Sequence, residues 1–375
     1  MRSSTPVDHV TLISQQSRAS AAKWTIGDGF PIALPGEAYV EDVVALPGRV
    51  TGIVFQAAEN QIQVLWLDSL GTPASPSQVI IAPTSSRGFG DFGASGVDST
   101  VVIVAAWRSD EGSRRDIWTI AVGHTPKRLR DAPVELGPFL GVLADTSLLF
   151  SMRTQRLGQE MVGGVVMVPG SALSHIGSPY PTDTILHYGV EWDEESGSRP
   201  IFGYHPGFAV DVTSDGLLVV PDTAPVVFSL SLEGKPQWKS RWSTADRSVT
   251  PAAVDAWRKA YAESIVRVGS DHPERVERSL TDLAARAAAS RFPSASRLIA
   301  LPDGTSFIRE YDLPGNDQDG ERWIVLGPNG QLLAELTIPA GFRTVGISEG
   351  LLVAERSDTL GGRYEAFRII GWSAP

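Results

Sequence analysis

The 375-residue chain contains no cysteine. Disulfides, thiolate nucleophiles and zinc–thiolate sites are therefore excluded together. Histidine is scarce. The six copies, His9, His124, His175, His187, His205 and His272, show no zinc spacing and no His-Glu-x-x-His. The one Gly-x-Ser-x-Gly match, Gly346-Ile347-Ser348-Glu349-Gly350, falls on a strand–turn–strand hairpin pattern, not the strand–turn–helix context that a nucleophile elbow needs. No stretch approaches the roughly 18 apolar residues of a membrane helix, which argues against direct membrane insertion. Positive charge is also short, with 32 Lys+Arg against 43 Asp+Glu and a net charge of −11. That balance repels phosphate backbones and makes a nucleic-acid partner unexpected. Residues 1–21 are mostly polar and lack the apolar core of about 7–15 residues of an export signal. They read as a flexible arm. The protein is then cytoplasmic, unless an export signal has already been removed.

Turn residues are abundant, with 37 Gly and 26 Pro punctuating short apolar runs. Residues 43–45 and 50–55 flank Leu46-Pro47-Gly48-Arg49, and a third run covers 62–67. The same grammar returns at 208–212, where Thr213-Ser214-Asp215-Gly216 leads into 217–220 and then 226–230. It appears again at 297–301, with Asp303-Gly304 before 307–311 and Pro328-Asn329-Gly330 after 323–326. Asp-Gly and Asn-Gly between apolar runs are strong hairpin signals. Weaker copies fill the gaps, so that first turns fall near 48, 99, 145, 215, 303 and 349. Three of the spacings match the roughly 40–50 residues of a four-stranded propeller blade. The two longer ones must hold insertions, one at about 171–200 and one at about 250–291.

The second insertion has a helical signature. Thr250-Pro251 forms an N-cap and first turn, and Val254, Trp257, Tyr261 and Ile265 recur at helical spacing. Val276, Leu280, Leu283, Ala284 and Ala287 mark a second amphipathic helix over 273–290. The pair reads as a lid or brace. The expected fold is thus all-β: a six-bladed β-propeller spanning 22–375, with a two-helix insertion between blades four and five. The last unit shows only three clear strands. The segment near Trp24 to Leu34 is therefore predicted to close the ring against strands between Thr344 and Trp372.

Phe208-Ala209-Val210-Asp211-Val212 through Asp215-Gly216 and Asp222-Thr223 to Ser231-Leu232-Glu233-Gly234 resembles an NHL-type blade. Trp323-Ile324-Val325-Leu326-Gly327-Pro328-Asn329-Gly330 through Leu336-Thr337-Ile338-Pro339 is similar to a late blade of uncharacterised bacterial six-bladed propellers of the NHL/TolB-like type. Units four and five match closely; units two and three lack the Asp-Gly turn. The resemblance implies a fold and often a periplasmic or other extracytoplasmic location. It implies no reaction.

No constellation of catalytic residues or metal ligands emerges, and no cofactor is expected. Asp317-x-Asp319-Gly320-Glu321 lacks a full calcium-loop ligand set and reads as a hairpin tip. Calcium-dependent lactonase-like propellers place Glu, Asn and Asp around a central metal. The three asparagines here, Asn60, Asn316 and Asn329, all fall in predicted outer turns. In a propeller the first strand of each blade lines the channel, and the loops leading into those strands form one mouth. Tyr39, Arg87, Phe139, His205, Arg297 and Arg343 are the candidates there. The three arginines either attract an anionic ligand or neutralise the inner carboxylates Asp42, Asp91 and Asp211. Trp66, Trp118 and Trp323 occupy similar outer-strand positions and suggest packing between blades. Trp192, Trp238, Trp242 and Trp257 gather near the insertions as interface candidates. The functional expectation is a non-catalytic binding or scaffold protein with a protein partner, alone or as a subunit of a larger assembly, or a small ligand. A hydrolase or lyase with a site in the central channel is the alternative.

Overall fold

A repeated three-residue turn sets the strand spacing. At Asp68–Thr72, Leu143–Ser147, Ser231–Lys235, Leu301–Thr305 and Gly327–Gln331 the N–H of the first residue donates to the carbonyl of the fifth, and the N–H of the fourth donates back to the first. The fourth residue is left-handed: Gly71 (φ 78°), Thr146 (67°), Gly234 (71°), Gly304 (82°) and Gly330 (74°). This is a type I turn followed by a left-handed residue, a geometry that favours glycine. In the third unit Thr146 occupies that position despite its branched side chain, and in the second the first turn uses Asp98 (φ 49°). These two units therefore keep their turns without the Asp-Gly signature.

The computed structural model describes residues 10–35, 38–46, 48, 50–82, 86–109, 112–131, 137–157, 160–169, 183–191, 208–214, 216–221, 224–248, 250–252, 255–256, 259, 292–313, 320–356 and 363–372. The chain begins with β1 (Val10–Ile13), α1 (Gln15–Ser20) and β2 (Ala22–Pro31). There follow β3 (Tyr39–Leu46), β4 (Val50–Ala58), β5 (Gln61–Leu67) and β6 (Pro73–Ile81), then β7 (Ser86–Val97), β8 (Thr100–Ser109), β9 (Gly112–Ala121) and β10 (Lys127–Asp131). Next come β11 (Phe139–Val142), β12 (Leu148–Leu157), β13 (Glu160–Val168) and β14 (Asp183–Glu191). After them lie β15 (Phe208–Val212), β16 (Gly216–Pro221), β17 (Val226–Ser231) and β18 (Pro236–Trp242). The C-terminal part holds β19 (Ala295–Ala300), β20 (Ser306–Glu310), β21 (Glu321–Leu326), β22 (Leu332–Ile338), β23 (Phe342–Ser348), β24 (Leu351–Arg356) and β25 (Tyr364–Ile370).

Among the described residues these strands form five sheets. Three are four-stranded meanders, β3–β6, β7–β10 and β11–β14, and a fourth, β15–β18, gains β1 as a parallel edge strand. The fifth has eight strands in the order β19-β20-β21-β22-β2-β25-β24-β23. Its middle strand β2 joins two antiparallel halves. Residues Ala22, Lys23 and Trp24 run parallel to β22, and Thr25 to Pro31 run antiparallel to β25. The change of register lies at Gly27-Asp28-Gly29, where a Cβ on Gly29 would stand 2.4 Å from the Phe367 ring. The predicted pairing of the upstream segment with the last strands is therefore present.

The core lies between sheets. Trp66 and Trp107 pack in a cluster drawn from β3–β6 and β7–β10. Leu148 and Phe150 meet Val102 and Val104, and Leu149 meets Leu217. Trp238 and Trp242 meet Ile308 and Ile324, Trp323 meets Leu352 and Phe367, and Val353 and Tyr364 meet Ile53 and Phe55. Truncating a fully buried tryptophan such as Trp66 or Trp323 costs about 3–5 kcal/mol. The expected packing role of Trp66, Trp118 and Trp323 between blades agrees with these clusters.

The first strands adjoin one another in cyclic order. β3 packs against β7 and β23, β7 against β11, β11 against β15, and β15 against β19. Arg297 on β19 completes the circuit by donating to the Thr344 and Val345 carbonyls on β23. This is a β-propeller-like arrangement.

Residues 10–21, read from the sequence as part of an arm, are tied down in the structure. α1 is N-capped by Ser14, whose Oγ accepts from the Ser17 N–H at 3.0 Å. It places Arg18 between sheets. The Arg18 guanidinium donates to Glu310 Oε1 at 3.0 Å and Oε2 at 2.8 Å, to the Ser243 carbonyl at 2.9 Å, and to Glu335. Lys23 donates to Glu335 as well. Of the insertion at 250–291, residue 250 is non-helical, residues 251, 252, 255, 256 and 259 are helical, and the others lie outside the described residues. Of the insertion expected at about 171–200, residues 183–191 are instead β14, the fourth strand of the third sheet, and the others lie outside the described residues. No described helix is long and apolar enough to cross a membrane.

Candidate functional site

A cavity of about 480 Å³ occupies the axis and is lined by all the first strands in the ring. Polar and apolar atoms share its wall about equally, the carbon surface coming from side chains such as Val44, Val97, Phe139, Val142, Val212 and Ile347. Gly93 makes room for Phe139, which packs against Phe150 at 5.6 Å between centroids with the rings tilted by 58°. The lining extends to the ends of the first strands, reaching Asp98, Ala144, Ser214 and Pro302. A second cavity of about 650 Å³ shares Thr213, Ser214 and Pro302 with the first. It continues outward between β15–β18 and β19–β22 past Ser229, Gln237, Trp238, Asp303 and Asn329. The two form one concavity on the face that carries the first hairpin turns.

Three charged side chains meet at the axis: Asp42 from β3, Asp211 from β15 and Arg297 from β19. Asp42 Oδ1 accepts the Val43 N–H at 2.9 Å, and Oδ2 accepts the Ala94 N–H of β7 at 3.2 Å. Asp211 repeats the motif, with Val212 N–H at 2.8 Å on Oδ1 and Ala300 N–H of β19 at 2.6 Å on Oδ2. Each carboxylate thus pins the neighbouring first strand. Ser95 does the same between β7 and β11, its Oγ accepting the Val142 N–H at 3.2 Å. Arg297 donates from Nη1 to the Thr344 carbonyl at 2.7 Å and from Nη2 to the Val345 carbonyl.

Burial governs the electrostatics. Asp42 and Asp211 are part-buried and line the cavity. Desolvation raises Asp42 to about 6, against the backbone N–H bonds and Arg297, which favour the carboxylate. Desolvation likewise raises Asp211 to about 7, and repulsion from Asp42 adds to it. Arg297 is lowered by burial despite the pull of Asp42, Glu321 and Asp211. Glu321 is itself buried. It accepts the Thr344 N–H at 3.1 Å and the Trp323 Nε1–H at 3.1 Å, and pairs with Arg309 at 3.0 Å. Among the described residues no group of three His, Cys, Asp or Glu side chains stands as a metal centre.

No protein-family profile matches the chain. No curated protein matches it. Among solved structures, a Hadza microbial sialidase aligns over 91% of this chain and 68% of its own, at a TM-score of 0.48 and 9% identity. A member of the DUF4221 family from Bacteroides vulgatus aligns over 93% and 98%, at 0.48 and 11%. A gluconolactonase from Xanthomonas campestris aligns over 92% and 90%, at 0.38 and 11%. At such scores and identities these likenesses carry no weight for chemistry.

Of the six mouth candidates named from the sequence, Arg297 and Phe139 line the axial cavity, as do Asp42 and Asp211 of the inner carboxylates named with them. Tyr39 is exposed, outside the lining. Arg343 is half-exposed and pairs with Glu355 across the β23–β24 hairpin. The side chains of Arg87 and Asp91, and residues His205, Trp192 and Trp257, lie outside the described residues. Trp242 is buried in the protein's own core, and Trp238, largely buried in the same cluster, borders the second cavity. The lining extends to the turn-bearing ends of the first strands, whereas the sequence reading chose residues near the opposite ends. Arg297 lies beside Asp42 and Asp211, the inner carboxylates weighed for it, whereas Arg343 pairs with Glu355 and not with an inner carboxylate. Sequence reasoning missed the outward continuation through Thr213, Ser214 and Pro302. Its signal was present in the Thr213-Ser214 and Pro302-Asp303 turns, which were read only as punctuation.

Proposed function

We propose that the chain is a six-bladed β-propeller of the NHL/TolB-like kind, closed by β2, with a helical insertion near 250–291. In this reading it is a binding protein that holds its ligand or partner segment on the face carrying the first hairpin turns. One observation carries the reading: two cavities share Thr213, Ser214 and Pro302 and make a continuous concavity from the axis to the cleft beside Trp238. The axial polar groups support a non-catalytic role, because each oxygen of Asp42 and of Asp211 already accepts a backbone N–H, one from its own strand and one from the neighbouring first strand. Crystals soaked with a mixed fragment library should show fragments collecting in this concavity. Ser214→Trp, which places an indole at the shared rim, should displace them. Fragments collecting on other faces, with both cavities empty, would overturn the reading.

The second reading, a hydrolase or lyase, is favoured by Asp211. A carboxyl pushed up to about 7 beside a cavity is suited to general acid–base work at neutral pH. Turnover of ester, lactone or uronide substrates that is abolished by Asp211→Ala, with the fold intact by circular dichroism, would establish it.

A further inference from the structure

Resting on the reading that the turn-bearing face binds ligands, we propose that the axial cavity takes an organic monocation, an ammonium or guanidinium head on an apolar body. The wall explains the body. Val44, Val97, Phe139, Leu140, Val142, Val212 and Ile347 offer carbon surface, and about 480 Å³ accommodates a small aromatic or aliphatic group. The charge balance explains the head. Among the described residues three carboxylates line the cavity, Asp42 from β3, Asp98 from the end of β7 and Asp211 from β15, against one cation, Arg297 from β19. Arg297 has Nη1 and Nη2 committed to the Thr344 and Val345 carbonyls. β11 and β23 contribute no charged side chain to the lining, and Arg343 on β23 is turned to Glu355. Behind Arg297 stand Arg309 on β20 and Glu321 on β21, which pair with each other. The adjoining cavity adds Asp303 and no Lys or Arg. An anion entering this space meets uncompensated negative charge. A cation relieves the repulsion between Asp42 and Asp211 and donates hydrogen bonds to their remaining lone pairs.

The sign of the pH dependence follows. Asp42 and Asp211 carry protons at pH 5 and lose them by pH 8, passing through about 6 and about 7. The pull on a cation therefore grows as pH rises across that window, while an alkylammonium stays charged throughout.

Isothermal titration of the full chain with benzylamine, benzyl alcohol and benzoate separates the possibilities. At pH 8 benzylamine should bind about tenfold tighter than benzyl alcohol, benzoate should not bind, and the preference should vanish at pH 5. A soaked crystal should place the ammonium beside Asp42 and Asp211. Asp211→Asn should remove most of the preference. Should that variant fail to fold, the pH series on the unaltered protein makes the same test. Equal binding of amine and alcohol at pH 8, or an amine lodged elsewhere, overturns the cation while leaving the binding face standing. Absence of binding by all three probes, with fragments also missing from both cavities, overturns both.

Discussion

Arginine and carboxylate meet in two places, and the two are built differently. At the rim, Arg18 grips Glu310 with two parallel bonds and reaches Glu335 directly, so charge is matched atom to atom. At the axis, Asp42 and Asp211 bond to backbone N–H groups, and Arg297 bonds to backbone carbonyls. There the opposite charges sense each other through space and spend their hydrogen bonds on the first strands. The consequences diverge. Glu335, against the desolvation that raises it, is held below its ordinary range by Lys23 and Arg18. Asp42 and Asp211 are pushed up toward neutrality. Direct pairing makes a clasp. Indirect pairing leaves a charge that a ligand can still answer.

Removing the clasp should give the largest effect. Arg18→Ala leaves Glu310, nearly buried, without its partner and should cost about 3 kcal/mol in urea unfolding. Retention of full stability would show the N-terminal segment to be ornamental. Asp211→Ala should cost less, about 1–3 kcal/mol, from two lost N–H acceptors, one of them on β19.

The pH dependence of these two losses sharpens the contrast. Because Asp211 has a raised folded pKa, the folded state holds its proton longer than the unfolded chain does. Its contribution is therefore fully present near pH 4 and declines as pH rises to about 7. The penalty of Asp211→Ala should then be larger at pH 5 than at pH 8. Glu335 has a lowered folded pKa, so its contribution is present at neutral pH and is lost as pH falls through the acid range. The penalty of Arg18→Ala should shrink in acid. Parallel pH trends for the two variants would erase the distinction. The smallest effect concerns the turns: Thr146→Gly relieves a β-branched residue at φ 67° and should stabilise by about 0.5–1 kcal/mol in thermal unfolding.

Much of the repeat was legible in the sequence because hairpins are local. The first turns expected near 48, 99, 145, 303 and 349 coincide with left-handed residues at Gly48, Asp98, Thr146, Gly304 and Gly350. Closure by the segment after Trp24 was legible too, since the last unit lacked a strand. The clasp was not. Arg18 reaches partners 225 to 317 residues away, and nothing in a polar stretch announces them. β1 was equally hidden, as Val10, Thr11, Leu12 and Ile13 form a strand only beside β18. At the axis, Asp42, Asp211 and Arg297 were named as residues that could neutralise one another. Their bonds to strands 52, 89 and 47 residues distant depend on the ring being closed. The cavity's outward path was invisible for the same reason, since Ser214 and Asn329 become neighbours only when two sheets pack.

The axial carboxylates are the centre of the account, and carbon-13 NMR titration of aspartate-labelled protein reads them directly. Midpoints near 6 for Asp42 and near 7 for Asp211, with the latter falling when an ammonium ligand is added, are the predicted result. Midpoints for both close to the ordinary value of about 4 would contradict it.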